Sequence, residues 1–562
     1  MYNDYISYLN SLHNYKAQNE NSYAEKNYDN KYYRKVMVKI NLSDYFAEQI
    51  QTKAPHVIIL TGHAGDGKTS IMYQVLQKFG YDPKSVPGIA DLDIGSAKKC
   101  RFVRDFSELN DDEKKIELSV LLGKPSSGEY AFIVANTGPL LKTFESLNLT
   151  GSHEDVSLLI EQMDRSDGNI TNIAGIPVSV VNMTAINNTF FATEYIKNLV
   201  DDDLWQPCEN CLKKDICHIY RNYRLIRQNL TQITNFFELH YNWLAENGNR
   251  LTVRSIAEQL SFMITGGDQC ENVIDDDPQK KLSSNLFFGY YDLLSNPDSQ
   301  VIMAINDAHR CYYDSKKLRS DMVILIERDY KSVFSQDLVP IIEKAYSDAA
   351  FQPGWNQMMR RLYLFYNCVT DMNKRSEDIS DVFSEKYRRY LDLITGKTTP
   401  SGIDRTLVAD ALMMIYTGSL ELKKGTNPTI PVTLSREAGI TQSVQLVLGS
   451  ISSKKISIKQ VETKDALFGG GSKRYRLQLV VEGKTVCENI TLPLWNYFND
   501  LKNGIIPTNI DPELTHGIEN IKASINRIIS DDTDESISLL VVKSNSNDTI
   551  AFAIDDDTMR EE

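Results

Sequence analysis

The sequence predicts a mixed α/β protein that begins with an open parallel sheet and ends with an antiparallel, β-rich region. Apolar runs at 57–60, 130–136 and 176–182 are separated by stretches with helical spacing, which is typical of a parallel sheet. A glycine-rich loop follows the first of these runs and leads directly into a helical pattern. After Gly425 the pattern changes to short alternating runs bounded by turn residues, which indicates antiparallel strands.

The composition bounds the class of protein. With 562 residues, the chain exceeds the size of one hydrophobic core, so we expect about three or four domains. No apolar run approaches the roughly 18 residues needed to cross a bilayer, and the first residues lack the apolar segment of a signal peptide. Eight cysteines, unevenly spaced, do not form a disulfide framework. We therefore expect a cytoplasmic protein with no membrane partner.

The glycine-rich stretch at 57–70 reads VIILTGHAGDGKTS and matches the pattern G-x-x-x-x-G-K-[ST]. Several backbone N–H groups can surround a polyphosphate only where side chains are small or absent, and the following helix adds the positive end of its dipole. Gly62, Gly65 and Gly67 supply this freedom. The strand, loop and helix occur in the required order, so the sequence predicts a P-loop NTPase with a parallel sheet, a helical lid region and a C-terminal antiparallel β-rich domain.

Three side chains complete the predicted nucleotide site. Lys68 would place its cation against the β- and γ-phosphates, and Thr69 would offer its hydroxyl to Mg²⁺. Ser70 is a further candidate for cofactor binding, with helix capping or packing as the alternative. We therefore expect ATP and Mg²⁺ as cofactors, although the loop alone does not establish hydrolysis.

Hydrolysis requires an acid at the end of a strand near the P-loop, and commonly a second acid that polarises the attacking water. The run FVRD ends at Asp105, which we predict to be the magnesium-side acid, and Glu108 is the candidate catalytic base. Asp91 and Asp93 form the rival pair. The structural alternative for Asp105 is capping of a helix that begins near Asn110.

Two further residues are candidates for contacts with the γ-phosphate. Asn136 ends a predicted strand and could hold the attacking water or the phosphate, the role called sensor 1; an Asx turn leading into Pro139 is the alternative. Arg254 opens a helical pattern after the sheet and could reach the γ-phosphate as sensor 2. Arg250 is the second candidate for this role, and a surface ion pair is the alternative for both arginines.

A cluster of cysteines, CENCLKKDIC, follows the predicted sheet. Cys208, Cys211 and Cys217, hereafter the knuckle cysteines, have the spacing of ligands to one tetrahedral metal ion. We expect structural Zn²⁺, with an iron–sulfur cluster or free thiols as alternatives. The sequence does not choose a fourth ligand among four candidates: His218, Cys270, His240 and Cys100.

The predicted organisation has five segments: an N-terminal arm (1–40), a P-loop nucleotide-binding domain (41–200), a cysteine knuckle and helical lid (201–270), a helical domain (271–424) and the β-rich C-terminal domain (425–562). The last domain has no residues with catalytic spacing, so we expect it to dock other proteins.

The segments GHAGDGKTS, RDFSEL, YAFIVANTGPLL, CENCLKKDIC and NRLTVRSIAEQL together resemble the DptF family of bacterial DNA phosphorothioation-dependent restriction systems, over residues 55–270. The resemblance implies a cytoplasmic ATPase of antiviral defence that acts with other subunits of a DNA restriction complex against DNA lacking the phosphorothioate mark. It supports phosphate contacts from Gly62 to Thr69.

The formal net charge of −14 is unlike that of a direct DNA reader, so we expect DNA contact through partners. A homo-oligomer is compatible with the sequence. The alternative function is a nucleotide-gated scaffold of the defence complex that binds ATP without turnover.

Overall fold

The computed structural model describes residues 2–13, 28, 30–149, 151, 154–273, 280–289, 302–309, 322–346, 355–367, 385–418, 429–434, 444–463, 473–507, 510–529, 536–542, 547–555 and 558–561. These residues form two compact units, one containing the described residues up to 367 and the other those from 385 onward. No helix of the described segments is both long and apolar enough to cross a membrane.

Six strands of the first unit form one sheet: β1 (Val57–Gly62), β2 (Ile89–Asp93), β3 (Lys99–Val103), β4 (Tyr130–Asn136), β5 (Ile170–Ile173) and β6 (Ile176–Asn182). Their order across the sheet is β2-β3-β4-β1-β6-β5. The four central strands are parallel, whereas β2 and β5 pair antiparallel with their neighbours. The predicted α/β fold with a mostly parallel sheet is therefore confirmed, and the carboxyl ends of the central strands lie at one edge.

The helices up to residue 265 are α1 (Asp4–Ser11), α2 (Lys31–Val36), α3 (Asn41–Thr52), α4 (Lys68–Lys78), α5 (Asp111–Gly123), α6 (Thr137–Leu147), α7 (Glu154–Arg165), α8 (Thr189–Leu199), α9 (Asp202–Glu209), α10 (His218–Gln228), α11 (Leu230–Glu246) and α12 (Val253–Thr265). After them come α13 (Ser283–Phe288), α14 (Met303–His309), a π-helical turn (Met322–Ile326), α15 (Tyr330–Val333), α16 (Val339–Tyr346) and α17 (Trp355–Asn367).

Successive residues of a strand point to opposite faces of the sheet, and helices pack against both faces. Ile58 of β1 belongs to the core that contains Phe46 of α3 and the buried face of α4. Its neighbour Ile59 belongs to the opposite core, which contains Leu118 of α5 and residues of α6 and α7. Burial on both faces explains why the central strands read as continuous apolar runs.

The N-terminal segment differs from the predicted peripheral arm. Tyr5 and Leu9 of α1 are fully buried, and the Tyr5 hydroxyl donates a hydrogen bond to the carbonyl of Leu199 at 3.1 Å. The side-chain amide of Asn198 donates to the carbonyl of Val36 at 3.2 Å. The described parts of residues 1–40 thus belong to the first unit. Their apolar residues are buried because α1 and α2 pack against helices that lie far away in the sequence.

The second unit contains α18 (Glu385–Ile394), α19 (Gly402–Thr417), α20 (Leu492–Lys502) and α21 (Pro512–Ile529). Its strands are β7 (Thr429–Thr433), β8 (Val444–Ser452), β9 (Ile456–Thr463), β10 (Arg474–Val481), β11 (Lys484–Cys487), β12 (Ser536–Val542), β13 (Asn547–Asp555) and β14 (Thr558–Glu561).

These strands form two antiparallel sheets, with the orders β11-β10-β9 and β14-β13-β12-β8-β7. The predicted antiparallel character is confirmed, but the unit begins with α18 rather than at residue 425. The indole nitrogen of Trp495 donates to the carbonyl of Lys386 at 3.1 Å, and the Gln445 amide donates to the carbonyl of Thr417 at 3.0 Å. These contacts join α18 to α20, and α19 to β8.

Candidate nucleotide-binding site

The glycine-rich loop connects β1 to α4 at the carboxyl edge of the sheet. Gly62, Gly65 and Gly67 have φ angles of 150°, 89° and 80°, which side chains other than hydrogen rarely permit. A Cβ atom on Gly62 would lie 2.8 Å from the Cβ of Met183, and one on Gly65 would lie 3.1 Å from the Cβ of Arg254. The loop therefore needs glycine both for its backbone conformation and for the close approach of its neighbours.

Lys68 begins α4 and places its ammonium at the tips of β1 and β4. Its Nζ donates hydrogen bonds to the carbonyls of Gly62 at 3.2 Å and His63 at 2.7 Å, and to Oδ1 of Asn136 at 3.0 Å. The structure thus brings the predicted P-loop lysine and the predicted strand-tip amide into direct contact.

The surroundings of Lys68 carry both signs of charge. Burial lowers the pKa of its ammonium, while the charges of Asp66 and Asp105 act to raise it and those of Arg254 and Arg250 act to lower it. Arg250 and Asp66 form an ion pair with each other. Of the other charged residues that line the cavity, Lys68 and Arg254 are matched by Asp105 and Glu108, so the attraction for an anion would come from the lysine, the arginine and the loop N–H groups locally rather than from an excess of positive charge.

A buried ion pair, which the sequence alone did not reveal, holds the loop in place. Nη1 of Arg250 lies 3.0 Å from Oδ1 of the fully buried Asp66, and Oδ2 of Asp66 accepts from the backbone N–H of His63 at 2.8 Å. The same guanidinium donates to the carbonyls of Ile186 at 2.7 Å and Met183 at 2.5 Å. Arg250 therefore joins the loop to the segment after β6, and its ion pair is buried rather than on the surface.

Arg254, the first candidate for sensor 2, lies at the start of α12. Its backbone N–H donates to the carbonyl of Gly65 at 3.0 Å, and its side chain lines the same cavity as Lys68. Thr252 caps this helix, with Oγ1 accepting from the N–H of Ser255 at 3.1 Å. The predicted lid arginine is thus beside the loop, and its contact with a γ-phosphate remains a prediction.

The two predicted acids lie just beyond β3. This strand ends at Val103, so the predicted extension to Asp105 was wrong; the charged Arg104 ends the buried run. Oδ1 of Asp105 caps a short 3-10 helix, Phe106–Glu108, by accepting from the N–H of Ser107 at 3.1 Å. Asp105 and Glu108 both line the cavity that contains Lys68. Capping occupies one carboxylate oxygen of Asp105, and the other remains available as a ligand.

The structure also shows where the alternatives to these acids lie. Asn110, not Asp105, caps α5, and it does so in a capping box with Glu113. Asp91 of β2 forms ion pairs with Arg101 and Lys124 and does not line the cavity. Asp93, also outside the cavity lining, accepts from the N–H of Gly95 at 3.0 Å in a turn. The rival pair is therefore on the antiparallel edge strand, away from the loop.

Asn136 occupies the tip of β4, and its side chain points to the lysine rather than into the following helix. Its Oδ1 accepts from Lys68 and forms no cap on α6, so the predicted Asx turn is not the observed role. Its backbone N–H donates to Oγ of Ser107 at 2.8 Å. This contact joins the tip of β4 to the turn that carries Asp105.

Thr69 and Ser70 differ in their surroundings. Both residues line the cavity, but the Ser70 hydroxyl lies 3.1 Å from the hydroxyl of Tyr33 on α2. The packing alternative for Ser70 is therefore present in the structure. Burial raises the pKa of Tyr33 further above neutral pH, so its hydroxyl stays protonated and available for this hydrogen bond.

The cavity extends from the loop to an apolar end that the sequence reading missed. Its volume is about 220 Å³. The apolar end is formed by side chains from residues 8–40 and from α8: Tyr8, Leu12, Tyr33, Val36, Met37, Val38, Ile40, Phe191 and Tyr195. The rings of Phe191 and Tyr195 are stacked, with centroids 4.9 Å apart. The cavity thus has a polar end at the glycine loop and an aromatic end next to the N-terminal segment.

The knuckle cysteines lie outside this cavity. Cys208 is in the last turn of α9, Cys211 is in the following turn, and Cys217 is the N-cap residue of α10. In the conformation seen here, no group of three or more His, Cys, Asp and Glu side chains among the described residues is already positioned to hold a metal ion. The expected Zn²⁺ therefore remains a prediction.

No protein-family model, curated protein or solved structure matches this chain. The function must therefore be argued from the geometry of the cavity and from the sequence.

The buried ion pair predicts a strong effect of Arg250→Ala. The substitution leaves the Asp66 carboxylate buried without its partner, which typically costs about 3–5 kcal/mol. We expect a clearly lower melting temperature and weakened nucleotide binding, measured by thermal unfolding and by ligand titration. Arg227→Ala is the matched control, because its ion pair with Asp202 is solvent-exposed and contributes little. Equal stability of the two variants would contradict a structural role for Arg250.

Proposed function

We propose that this chain binds ATP with Mg²⁺ in the cavity and hydrolyses it slowly. The observation that carries this proposal is the convergence of Lys68, Asn136 and Asp105, from three neighbouring segments of the parallel sheet, on one cavity beside a glycine loop. This cavity lies at the carboxyl edge of the strands, where open α/β sheets bind their ligands.

The polar end of the cavity suits a polyphosphate. The loop glycines keep side chains away from its backbone N–H groups, and the N-terminus of α4 adds the positive end of a helix dipole. Lys68 already forms hydrogen bonds to three oxygen atoms, so phosphate oxygens would replace acceptors of the same chemical type. The flexible lysine side chain allows this exchange without movement of the helix.

The residues present also fit a magnesium ion. The Thr69 hydroxyl and the Asp105 carboxylate line the same cavity, and oxygen ligands of this kind suit Mg²⁺ when phosphate oxygens complete the coordination. When bound, the ion would neutralise charge on the phosphates.

The apolar end of the cavity suits a nucleobase. The stacked rings of Phe191 and Tyr195 offer an aromatic surface, while Val36 and Val38 add aliphatic contacts. A flat aromatic base buried there would leave its phosphates directed toward the glycine loop. This arrangement favours a nucleotide over inorganic polyphosphate as the ligand.

The proposed hydrolysis assigns a role to each polar residue. Glu108 takes a proton from a water molecule while the water oxygen forms a bond to the γ-phosphorus. The bond from that phosphorus to the bridging oxygen breaks, giving ADP and inorganic phosphate. Asn136 positions the water or the γ-phosphate, and Arg254 offsets the negative charge that develops during transfer.

A second candidate is a scaffold that binds ATP without turnover. It is favoured by one observation, namely that Asp105 already uses one oxygen to cap the 3-10 helix and lies two residues beyond the end of β3. A carboxylate held in this way could contact magnesium without aligning the attacking water. Turnover measurements separate the two candidates.

We further propose that the nucleotide state controls assembly or activation of a DNA restriction complex. The sequence segments that resemble the DptF family support this setting. The direct hydrogen bond between Arg254 of α12 and Gly65 gives a physical route, because any change in the loop must also move this helix or break the bond. The antiparallel sheets of the second unit are the candidate docking region for protein partners, which would make the contacts with DNA.

Lys68→Ala should weaken ATP binding by roughly 10- to 100-fold, because a charge-assisted hydrogen bond contributes about 1.5–3 kcal/mol. Calorimetric titration with magnesium and ATP provides the measurement. Lys142→Ala is the control, since this lysine is exposed and pairs with Asp111 on the surface. Unchanged affinity of Lys68→Ala would exclude the loop as the phosphate site.

Glu108→Gln should reduce the turnover number by roughly 10²–10⁴-fold while ATP still binds, because it removes the proton acceptor. Asp105→Asn should shift the magnesium dependence of phosphate release to higher concentration. Asp93→Asn is the control from the rival pair and should behave as wild type. Absence of lysine-dependent phosphate release from the wild type would instead support the non-hydrolysing scaffold.

In cells that carry a complete restriction system of this type, Lys68→Ala should abolish restriction of DNA lacking the phosphorothioate mark. The efficiency of transformation or phage infection is the readout, with protein abundance checked by immunoblot and Lys142→Ala as the control. Full restriction by Lys68→Ala would contradict control by the nucleotide state, even if the purified protein binds ATP.

A further inference from the structure

Two cysteines from separate parts of the first unit lie beside Asn3, which caps α1. The Asn3 side-chain amide donates to Sγ of Cys208 at 3.3 Å, and Sγ of Cys270 lies 4.0 Å from the Asn3 carbonyl oxygen. Cys270 begins a short 3-10 helix just after α12, about 60 residues beyond the knuckle cysteines. The fold therefore brings a fourth thiol to the knuckle.

The backbone of the two segments is held together by further contacts. Within the knuckle, the N–H of Cys211 donates to the carbonyl of Cys208 at 3.2 Å, and the N–H of Cys217 donates to that of Lys213 at 2.9 Å. The Lys213 ammonium then donates to the carbonyl of Glu271, the residue after Cys270, at 3.1 Å. The knuckle and the segment with Cys270 are thus adjacent through two independent links, Asn3 and Lys213.

The four sulfur atoms lie close enough for their charges to interact. The backbone N–H groups of Tyr220 and Ile219 contact Cys217, which lies at the N-terminus of α10. Burial, the largest cause, and the charges on Cys270, Cys217 and Cys211 together raise the pKa of Cys208 to about 12. All four thiols are therefore within electrostatic reach of one another.

The other candidates for a fourth ligand are excluded by their positions. His218 directs Nε2 to the carbonyl of Thr265 at 3.0 Å and lies 3.4 Å from Asp268. His240 is fully buried among aromatic rings, including that of Phe236 at 5.4 Å. Cys100 is fully buried in the core of the sheet. His218 follows Cys217 in the chain, but its Nε2 is directed to Thr265, whereas Cys270 shares its contact residue, Asn3, with the knuckle cysteine Cys208.

We propose that the three knuckle cysteines and Cys270 together bind one structural Zn²⁺ ion as a tetrathiolate site. In the conformation described, the thiols are neighbours but not yet at ligand distances, so binding must draw them to about 2.3 Å from the metal. The ligands lie in turns or at helix ends, where side-chain rotation and small backbone shifts can close the site. The Asn3 amide and the backbone N–H groups would then donate to the bound sulfurs.

The site would stabilise one end of the nucleotide cavity. It joins the start of α1, which is followed by the cavity residues Tyr8 and Leu12, to the C-terminal side of α12, whose first turn carries Arg254. This inference does not depend on nucleotide binding or hydrolysis, because it rests on the cysteine geometry alone.

Metal analysis of the full chain tests the proposal. Purified wild type and Cys487→Ser should each contain one zinc ion per chain, because Cys487 lies in the second unit, whereas Cys270→Ser should lose at least 10-fold in zinc occupancy at equal free zinc. Cys270→His should restore binding. With Co²⁺ in place of zinc, the wild type should show the absorption of four thiolates, and Cys270→His the shifted spectrum of three thiolates with one nitrogen.

Three outcomes would overturn the proposal. They are full zinc occupancy in Cys270→Ser with an unchanged cobalt spectrum, failure of the wild type to bind Zn²⁺ or Co²⁺, and stoichiometric iron with sulfide in place of zinc. If Cys270→Ser does not fold, alkylation of the native wild type followed by mass spectrometry replaces it. Zinc should then protect Cys270 together with the knuckle cysteines, and rapid labelling of Cys270 alone would exclude it as a ligand.

Discussion

The buried ion pair between Asp66 and Arg250 is the constraint on which the candidate site depends. A carboxylate with no solvent exposure must be neutralised by a partner, and here one guanidinium does this while also binding two backbone carbonyls. The glycine loop has little side-chain packing of its own, because its residues are small. Its conformation therefore depends on two contacts: the ion pair of Asp66, which belongs to the loop, and the start of α12, which packs against the loop.

This arrangement explains why the two arginines of the segment have different positions. Arg250 precedes the cap residue of α12, and its side chain points toward the loop interior, where it forms the ion pair with Asp66. Arg254 lies in the first turn of the helix, so its backbone contacts Gly65 while its side chain reaches the cavity. Sequence reasoning could identify both as candidates, but only the path of the chain around Asp66 separates a structural arginine from one that lines the cavity.

The central strands were predictable from the sequence because both faces of each are buried, which produces uninterrupted apolar runs. The predicted end of β3, at Asp105, lay too far along the chain. The apolar run before Asp105 is short, and Arg104 gives no clear pattern that would mark where the strand ends. The glycine loop was predictable because its positive φ angles and close neighbours restrict the residue types directly. Asp66 was not, since it occupies a variable position of the motif and its importance comes from a residue 184 positions away in the sequence.

The position of the N-terminal segment likewise depends on contacts with residues that lie far away in the sequence. Its composition, rich in Asn, Tyr and Lys, is common in exposed arms, and its apolar residues are too few to form a core alone. Three sets of contacts nevertheless hold it: Tyr33 with Ser70 at the loop, Val36 with Asn198 on α8, and Asn3 with Cys208 in the last turn of α9 and with Cys270 after α12. Because the first of these lies beside the glycine loop and the second beside α8, displacement of this segment would open the cavity at both places. A ligand that binds the cavity only while this segment is in place would oppose that displacement, so occupancy of the cavity and the position of the segment would be linked.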